Sequence, residues 1–237
     1  MRGAAENMIN IIACDDDKDI VRALKIYLSS EGFNVLEAYN GRQVLELLAE
    51  NDVQLVLMDV MMPQMDGIEA TAEIRKKYNV PVILITAKSE DYDKILGLDV
   101  GADDYITKPF NPVEVVARAK SQLRRYLKLG KAPVGQHLRN GGLLIDDVSK
   151  KVLVDGEEVS FTPTEYSILK LFMENIDSVL SPREIYKRVW NGSAFGGENT
   201  VIVHIRHIRE KIEIDPASPH YIVAVYGHGY KMQRRDR

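Results

Sequence analysis

The chain has 237 residues, a formal net charge of −4 and a single cysteine. This length indicates about two domains, each large enough to bury its own core, and one cysteine excludes an intramolecular disulfide. The sequence contains no recognisable signal peptide or long apolar span, so we expect a cytoplasmic protein with no membrane partner.

Charge is unevenly distributed along the chain. Residues 1–125 carry 15 Lys plus Arg and 21 Asp plus Glu, whereas residues 126–237 carry 16 and 14. An excess as small as that of the second half is typical of a solvated surface and does not by itself indicate nucleic-acid binding. Residues 1–7 show no pattern, and we expect a natural extension or a cloning remnant because Met8 is a credible start.

The first half alternates strand-like apolar runs with amphipathic helical segments. Five strands are predicted at Asn10–Cys14, Asn34–Ala38, Leu55–Met58, Pro81–Thr86 and Asp104–Ile106. Five helices are predicted at Lys18–Glu31, Gly41–Asn51, Asp66–Tyr78, Glu90–Val100 and Asn111–Leu127. Strict alternation predicts an α/β fold in which helices cover both faces of a parallel sheet.

Charged side chains follow three of these predicted strands. Asp15, Asp16 and Asp17 come after the first strand, Asp59 after the third and Lys108 after the fifth. Because ligands of an open parallel sheet bind at the carboxyl ends of its strands, we expect these groups to meet there. Crowded carboxylates repel one another without a hard cation, so the pattern predicts a magnesium site. An acidic cluster alone also suits a helix N-terminus, but Asp59 and Lys108 on neighbouring strands favour the metal.

The pattern changes after Tyr126. Residues 127–136 lack periodicity and contain two glycines around a proline, so we assign a first domain at 8–126, a linker at 127–136 and a second domain at 137–237. The second domain opens with short strand-like pieces at Leu143–Ile145, Val152–Val154 and Glu157–Val159, which predict a small antiparallel sheet.

Three helices and a hairpin complete the second domain. Thr162-Pro163-Thr164-Glu165 and Ser181-Pro182-Arg183-Glu184 each combine a capping hydroxyl, a proline and a glutamate, which is typical of a helix start. A third helix is predicted over about 199–213, and strands over 221–226 and 230–232 flank a glycine-containing turn. This order predicts an α+β winged helix-turn-helix.

The motifs of both halves resemble those of bacterial two-component response regulators. In the first half, four motifs are similar to those of the receiver domain: Ala13-Cys14-Asp15-Asp16-Asp17, Leu57-Met58-Asp59-Val60-Met61-Met62-Pro63, Thr86-Ala87-Lys88 and residues 101–110. In the second half, Val201-Ile202-Val203-His204-Ile205-Arg206 and Gly227-His228-Gly229-Tyr230 resemble the effector domain of the OmpR/PhoB subfamily. The resemblance implies a doubly wound, flavodoxin-like receiver with strand order 2-1-3-4-5.

The resemblance also implies roles for individual residues. Asp59 is expected to accept a phosphoryl group from a sensor histidine kinase, and Lys108 to pair with a phosphoryl oxygen. The divalent cation, Mg²⁺ or Mn²⁺, is assigned to Asp15, Asp16, Asp59 and the backbone carbonyl of Met61. The Lys108–Pro109 peptide is expected to be cis, a geometry that is accessible before proline.

Phosphorylation is expected to change the conformation of the receiver. Thr86 would move toward the phosphoryl group and free space for Tyr105, although ordinary packing explains a half-buried tyrosine equally well. The family's switch leads to a homodimer through the fourth helix, fifth strand and fifth helix of the receiver. Charge pairs expected on that face are Lys94 with Glu114, Asp104 with Arg118 and Asp99 with Lys120.

The third helix of the second domain is the candidate recognition helix for double-stranded promoter DNA. Helical spacing predicts that Val201, Ile205, Ile208 and Ile212 face the core. The DNA-binding candidates are Asn199, Thr200, His204, Arg206, His207, Arg209 and Lys211, with His228 and Lys231 on the wing. A solvated cationic face is the alternative interpretation of this helix. The loop from Trp190 to Glu198 resembles the segment that touches RNA polymerase in relatives.

Two other functions are compatible with parts of this pattern. An aspartate-based phosphohydrolase of the haloacid dehalogenase type would also use a strand-end aspartate and Mg²⁺, but it carries a second aspartate two residues later, where this chain has Met61. A DNA-binding protein with a vestigial first domain is disfavoured by the complete set of acidic, hydroxyl and lysine side chains. We therefore expect a transcription regulator with, at most, slow autophosphatase activity.

Overall fold

A computed structural model describes residues 8–87, 98–128, 137–190 and 198–236. The chain divides into two compact units, residues 1–120 and 121–237. Most of the predicted linker, residues 129–136, lies outside the described ranges.

The first unit contains a five-stranded parallel sheet. Its strands are β1 (Asn10–Cys14), β2 (Asn34–Ala38), β3 (Leu55–Asp59), β4 (Val82–Ala87) and β5 (Asp104–Lys108), in the order β2-β1-β3-β4-β5. Every residue of β3 is buried, as expected for a central strand covered on both faces. The predicted doubly wound fold and strand order are confirmed.

Helices pack around this sheet and begin at side-chain caps. They are α1 (Lys18–Ser29), α2 (Gly41–Glu50), α3 (Gly67–Lys77) and α4 (Pro112–Lys128). Asp17, Asn40 and Asp66 each accept a backbone hydrogen bond at the start of α1, α2 and α3, which satisfies amides that have no partner within the helix. The helix predicted over 90–100 lies outside the described residues except for Leu98 to Val100, of which Leu98 and Asp99 are helical.

The second unit contains two antiparallel sheets. Strands β6 (His137–Asn140), β7 (Leu143–Asp146), β8 (Lys151–Val154) and β9 (Glu157–Val159) form the first. Strands β10 (Val179–Leu180), β11 (Ile222–Val225) and β12 (Gly229–Met232) form the second, in the order β10-β12-β11. The predicted terminal hairpin is confirmed, whereas β6 and β10 were not predicted.

Three helices lie between β9 and β11 in the chain: α5 (Pro163–Glu174), α6 (Pro182–Trp190) and α7 (Glu198–Ile212), with β10 between α5 and α6. Thr162 and Glu165 form the predicted capping box at the start of α5. Ser181 caps the start of α6 by accepting a hydrogen bond from the backbone of Glu184 at 3.1 Å. No helix in the described ranges has the length and apolar character that crossing a membrane requires.

The core of the second unit forms around its helices. Val201, Ile205, Ile208 and Ile212 are buried on α7, as their spacing predicted. They share one apolar cluster with Phe172 of α5 and residues of both sheets. The winged helix-turn-helix architecture predicted for this unit is therefore confirmed, and the buried stripe fixes which face of α7 points outward.

Candidate functional site

The carboxyl ends of β1, β3 and β5 bring three charged side chains together. Lys108 Nζ lies 2.7 Å from Asp15 Oδ2 and 2.9 Å from Asp59 Oδ1. Asp15 is fully buried and Asp59 is 4% exposed, so one ammonium group contacts two carboxylates that have little access to water. The topology explains the meeting, because β3 lies between β1 and β4 and β5 lies next to β4.

A third carboxylate completes an acidic cluster. Carboxylate oxygens of Asp15, Asp16 and Asp59 all lie within 4.8 Å of one another, and Asp16 is exposed. Asp17 instead caps α1, where its side chain accepts a hydrogen bond from the Asp19 amide at 2.8 Å. Helix capping therefore explains the position of Asp17 but not the cluster of Asp15, Asp16 and Asp59.

Burial and charge shift the proton affinity of the central pair. Burial raises the pKa of Asp59 above its ordinary value of 3.8, and the hydrogen bond from Lys108 offsets part of that rise. Burial alone would lower the pKa of Lys108, but its hydrogen bonds to Asp15 and Asp59 raise that pKa above its ordinary value of 10.5. Lys108 therefore stays a cation in the range where Asp59 becomes an anion.

Close packing holds the backbone after Asp59 in place. Gly67 donates its amide hydrogen to the carbonyl of Val60 at 2.9 Å, and a Cβ at Gly67 would lie only 2.2 Å from the carbonyl oxygen of Asp59. Cys14 contacts Met62, with 3.3 Å between the two sulfur atoms. Burial raises the pKa of the Cys14 thiol to about 12, with contributions from Asp15 and Asp59, so this sulfur is a buried packing group and no thiolate nucleophile.

The other residues assigned to this end of the sheet differ in exposure. Thr86, at the end of β4, is buried, and its hydroxyl has no hydrogen-bond partner among the described residues. Tyr105 on β5 is half-buried, and the side chain of Met61 is exposed. The Lys108–Pro109 peptide is cis, which confirms that prediction.

The structure corrects the prediction for part of the recognition helix. Thr200, His204 and His207 are buried, with exposed fractions of 0%, 1% and 6%, so they do not face DNA. Two further candidates on α7 bind within the unit: Arg209 donates to the carbonyl of Ile222 at 2.9 Å, and Lys211 forms an ion pair with Glu165 at 2.5 Å. His207 lies beside the Glu165 carboxylate and His204 beside the Trp190 ring. The spacing of apolar residues along the sequence does not predict burial of polar side chains by such contacts.

The exposed face of α7 includes two of the predicted DNA-binding residues, Asn199 and Arg206. Asn199, Ile202, Arg206 and Glu210 are exposed and recur at helical spacing. Ile202 was not predicted as a surface residue, although it lies four positions before Arg206. Arg206 Nε lies 3.7 Å from Glu210 Oε1, an exposed pair of small energetic value.

The turn between β11 and β12 presents the wing. Tyr226 is 99% exposed, and His228 is exposed with Nδ1 2.8 Å from the carbonyl oxygen of Tyr226. Lys231 lies on β12, where it is half-buried. The turn therefore exposes an aromatic ring and an imidazole, whereas Lys231 lies further along the hairpin, opposite Val223.

Comparison with known proteins identifies both units. The family model for the response regulator receiver domain matches residues 11–120, and the model for the C-terminal domain of transcriptional regulatory proteins matches residues 156–232. The chain is a response regulator of the OmpR/PhoB type. Its sequence thus belongs to the transcriptional regulators of two-component systems.

Relatives of this response regulator share its whole domain arrangement. It is 39% identical over 227 residues to regulatory protein VanRc of Enterococcus gallinarum, covering 94% of this chain and 98% of the relative. It is 41% identical over 220 residues to transcriptional regulatory protein YcbL of Bacillus subtilis, covering 92% and 97%. A solved structure of a RitR mutant superposes with a TM-score of 0.75 at 22% identity, covering 95% of this chain and 99% of that one, which supports the fold.

Several residues predicted to form charge pairs on the dimer face of the response regulator have partners within the chain. Asp104 and Arg118 are buried, not exposed, and Arg118 binds both Asp104 oxygens at 2.9 and 3.0 Å and Glu114 at 2.9 Å within the same chain. Lys120 lies 2.5 Å from Glu31, in the turn that follows α1. Asp99 is exposed, and Lys94 lies outside the described residues. In this conformation, the pairs stabilise the receiver itself.

Proposed function

We propose that this response regulator controls transcription through phosphorylation of Asp59. A carboxylate oxygen of Asp59 attacks the phosphorus of a phosphohistidine on a sensor histidine kinase. The P–O bond forms as the P–N bond breaks, and the electron pair returns to the imidazole nitrogen. The carboxylate needs no general base because it is already ionised near neutral pH.

The observation that carries this proposal is the position of Lys108 between Asp15 and Asp59, at 2.7 and 2.9 Å. An anionic nucleophile that attacks an anionic phosphoryl group needs nearby positive charge and fixed alignment. Lys108 would transfer its hydrogen bond from Asp59 to a phosphoryl oxygen as the acyl phosphate forms. The buried hydroxyl of Thr86 could then donate to a second phosphoryl oxygen, which would satisfy a group with no partner among the described residues. Inward movement of Thr86 would free space for Tyr105.

The acidic cluster fits a divalent cation. Mg²⁺ prefers carboxylate and carbonyl oxygens in a near-octahedral arrangement, and the oxygens of Asp15, Asp16 and Asp59 already lie within 4.8 Å of one another. We assign Mg²⁺ or Mn²⁺ to these three carboxylates and the carbonyl of Met61. When bound, the ion supplies positive charge that offsets repulsion between Asp59 and the phosphoryl oxygens.

Labelling with a small phosphodonor such as acetyl phosphate tests the assignment. Wild-type protein with Mg²⁺ should gain one phosphoryl group by intact mass, Asp59→Asn should gain none, and the matched control Asp17→Asn should be labelled like the wild type. Stoichiometric label on Asp59→Asn would refute the role of Asp59. Rapid continuous phosphate release would indicate a phosphohydrolase, and an unlabelled wild type would indicate a vestigial receiver.

The effector domain is proposed to bind double-stranded promoter DNA through the outward face of α7 and the wing. Asn199 and Arg206 carry donors for base edges or phosphates, and Ile202 offers an apolar contact of the kind that thymine methyl groups accept. His228 and Lys231 would contact the minor groove or the backbone from the wing. RNA polymerase contact is proposed for the loop after Trp190, most of which lies outside the described residues. These partners are consistent with action in the cytoplasm.

Phosphorylation is further proposed to promote a homodimer through β5, α4 and the helix predicted over 90–100, most of which lies outside the described residues. Because Arg118 binds both Asp104 and Glu114 within the chain, such a dimer would require these ion pairs to be shared or exchanged across the interface. Sedimentation velocity should show faster sedimentation after phosphorylation of the wild type and no change for Asp59→Asn. An unchanged sedimentation coefficient in the labelled wild type would contradict this step.

A further inference from the structure

Two histidines and a glutamate of the second unit lie together between α5 and α7. One ligand atom from each of Glu165, His204 and His207 can be chosen so that the three atoms lie within 4.8 Å of one another. His204 and His207 are three positions apart on α7 and so share a helix face, and Glu165 belongs to the first turn of α5. All three side chains are buried.

The glutamate presents one of its two oxygens to the histidines. Glu165 Oε2 accepts a hydrogen bond from the backbone of Thr162 at 2.9 Å and forms the ion pair with Lys211 at 2.5 Å. Glu165 Oε1 lies 3.7 Å from His207 Nδ1. The carboxylate is thus oriented by its capping role, while Oε1 faces the imidazole.

We propose that Glu165, His204 and His207 bind one divalent transition-metal ion of the zinc class. Two imidazoles and one carboxylate form a donor set that binds Zn²⁺ in proteins, with the fourth tetrahedral position open to water. Nitrogen donors disfavour Mg²⁺ and Ca²⁺, which take oxygen ligands. Tetrahedral Zn²⁺, with Zn–N distances of about 2.0 to 2.1 Å, requires ligand atoms about 3.4 Å apart, so the cluster needs only small side-chain rotations.

Lys211 competes with the metal. Its ammonium group neutralises Glu165, and a second cation beside the same carboxylate would be repelled. The Lys211 side chain is 30% exposed, so it can move into solvent when the ion enters. Removing this charge should therefore strengthen metal binding, the opposite of what removal of a ligand does.

Metal binding would also change the contacts of Arg206. Arg206 Nη2 lies 3.1 Å from His207 Nε2, which accepts from the guanidinium when His207 carries its proton on Nδ1. An ion on Nδ1 moves that proton to Nε2, which then can no longer accept from Arg206. The ion would therefore end the hydrogen bond between Arg206 and His207, while the contact of Arg206 with Glu210 on the outward face would remain.

The chain contains a natural reporter for this site. Trp190 is the single tryptophan, and its ring centroid lies 5.9 Å from that of His204. A bound paramagnetic ion such as Co²⁺ quenches an indole at this distance, and tetrahedral Co²⁺ absorbs visible light much more strongly than octahedral Co²⁺. Excess Mg²⁺ keeps the oxygen ligands of the receiver occupied during the titration.

The test is a Co²⁺ titration of the full-length protein in excess Mg²⁺, followed by Trp190 fluorescence and visible absorption. We expect saturable 1:1 quenching that EDTA reverses, with a tetrahedral spectrum. His207→Gln should weaken the Co²⁺ affinity at least about tenfold. Loss of a residue that only hydrogen-bonds to a metal ligand already weakens metal affinity by about that factor, and His207 is itself a proposed ligand. His220→Gln, an exposed histidine of the same unit, is the matched control and should bind like the wild type.

Lys211→Met keeps every ligand and gives an independent readout. It should bind Co²⁺ at least about tenfold more tightly than the wild type. Repulsion from a unit charge about 4 Å away weakens the binding of a cation by more than tenfold, and the variant lacks that charge. Far-UV circular dichroism verifies that each variant is folded. The proposal is overturned if the wild type shows no saturable quenching, if folded His207→Gln binds like the wild type, or if folded Lys211→Met binds no more tightly.

Discussion

Replacing Lys108 with methionine tests how the acidic site is held together. The substitution keeps the length and apolar stem of the side chain but removes the ammonium group that lies 2.7 Å from Asp15 and 2.9 Å from Asp59. Both carboxylates are buried, so they would be left close together without their cation. We expect a large loss of receiver stability at neutral pH in the absence of divalent metal.

The size of the loss follows from burial. Removing one partner of a buried ion pair costs about 3 to 5 kcal/mol, because the remaining charge stays desolvated. The Lys108 side chain is 25% exposed, and water can reach the gap it leaves, so we expect about 3 kcal/mol. The matched control is Lys25→Met, which breaks an exposed pair with Glu37 at 2.6 Å and should cost at most about 1 kcal/mol.

Urea unfolding measures both variants, with far-UV circular dichroism following the whole chain and Trp190 fluorescence following the second unit. In EDTA, Lys108→Met should shift only the receiver transition, and saturating Mg²⁺ should restore part of the lost stability because the ion replaces the missing charge. Equal losses for Lys108→Met and Lys25→Met, or no recovery with Mg²⁺, would refute the picture of two buried carboxylates held by one cation.

Three further substitutions examine the site and the DNA-facing helix. Burial holds the pKa of Asp59 above its ordinary value of 3.8, so the wild-type protein loses stability as pH rises through the folded-state pKa of this carboxyl. In urea titrations in EDTA, Asp59→Asn should therefore be more stable than the wild type at pH 8, and the difference should close toward pH 3.8. Gly67→Ala places a Cβ 2.2 Å from the Asp59 carbonyl oxygen, so it should lower the free energy of unfolding by about 1 to 3 kcal/mol and slow phosphorylation. The control Gly32→Ala has open space at its Cβ and should leave the phosphorylation rate unchanged. Arg206→Ala should weaken DNA binding and, if a phosphate contact is lost, reduce the slope of log affinity against log salt by about one; equal slopes for variant and wild type would place the DNA elsewhere.

The proposed phosphorylation site could be located from the sequence because a parallel sheet gathers the carboxyl ends of its strands at one edge. Apolar runs ending at Cys14 and Met58 are unambiguous strands, so the acidic residues that follow them must meet. Asp17 caps a helix, whereas Asp15 contacts Lys108. This difference depends on the direction of the backbone at the end of the strand. A run of three aspartates contains no signal for that difference.

The recognition helix shows what periodicity cannot resolve. Spacing predicted the buried side of α7, but imidazole and hydroxyl groups were assigned outward because they are polar. His204 and His207 are buried because Trp190 and the carboxylate of Glu165, both distant in sequence, supply a partner surface. Ile202 faces outward for the converse reason, since the helix phase set by its buried neighbours leaves it no place in the core.

Strands β6 and β10 were missed because their own sequences favour them weakly. Strand β6 contains His137, Arg139 and Asn140, and β10 has two residues. Their pairing comes from neighbours, since Leu138 pairs with Ile145 of β7 and Leu180 with Tyr230 of β12. Short strands of this kind are determined by tertiary context more than by propensity.

Control of promoter binding through Asp59 is tested by comparing DNA affinity before and after phosphodonor treatment in the wild type and in Asp59→Asn. The duplex is one selected from genomic fragments by the treated wild-type protein, and the salt concentration is held constant. Phosphodonor with Mg²⁺ should strengthen binding by the wild type and leave Asp59→Asn unchanged. Equal strengthening in both proteins, or none in a fully labelled wild type, would contradict control of promoter binding through Asp59.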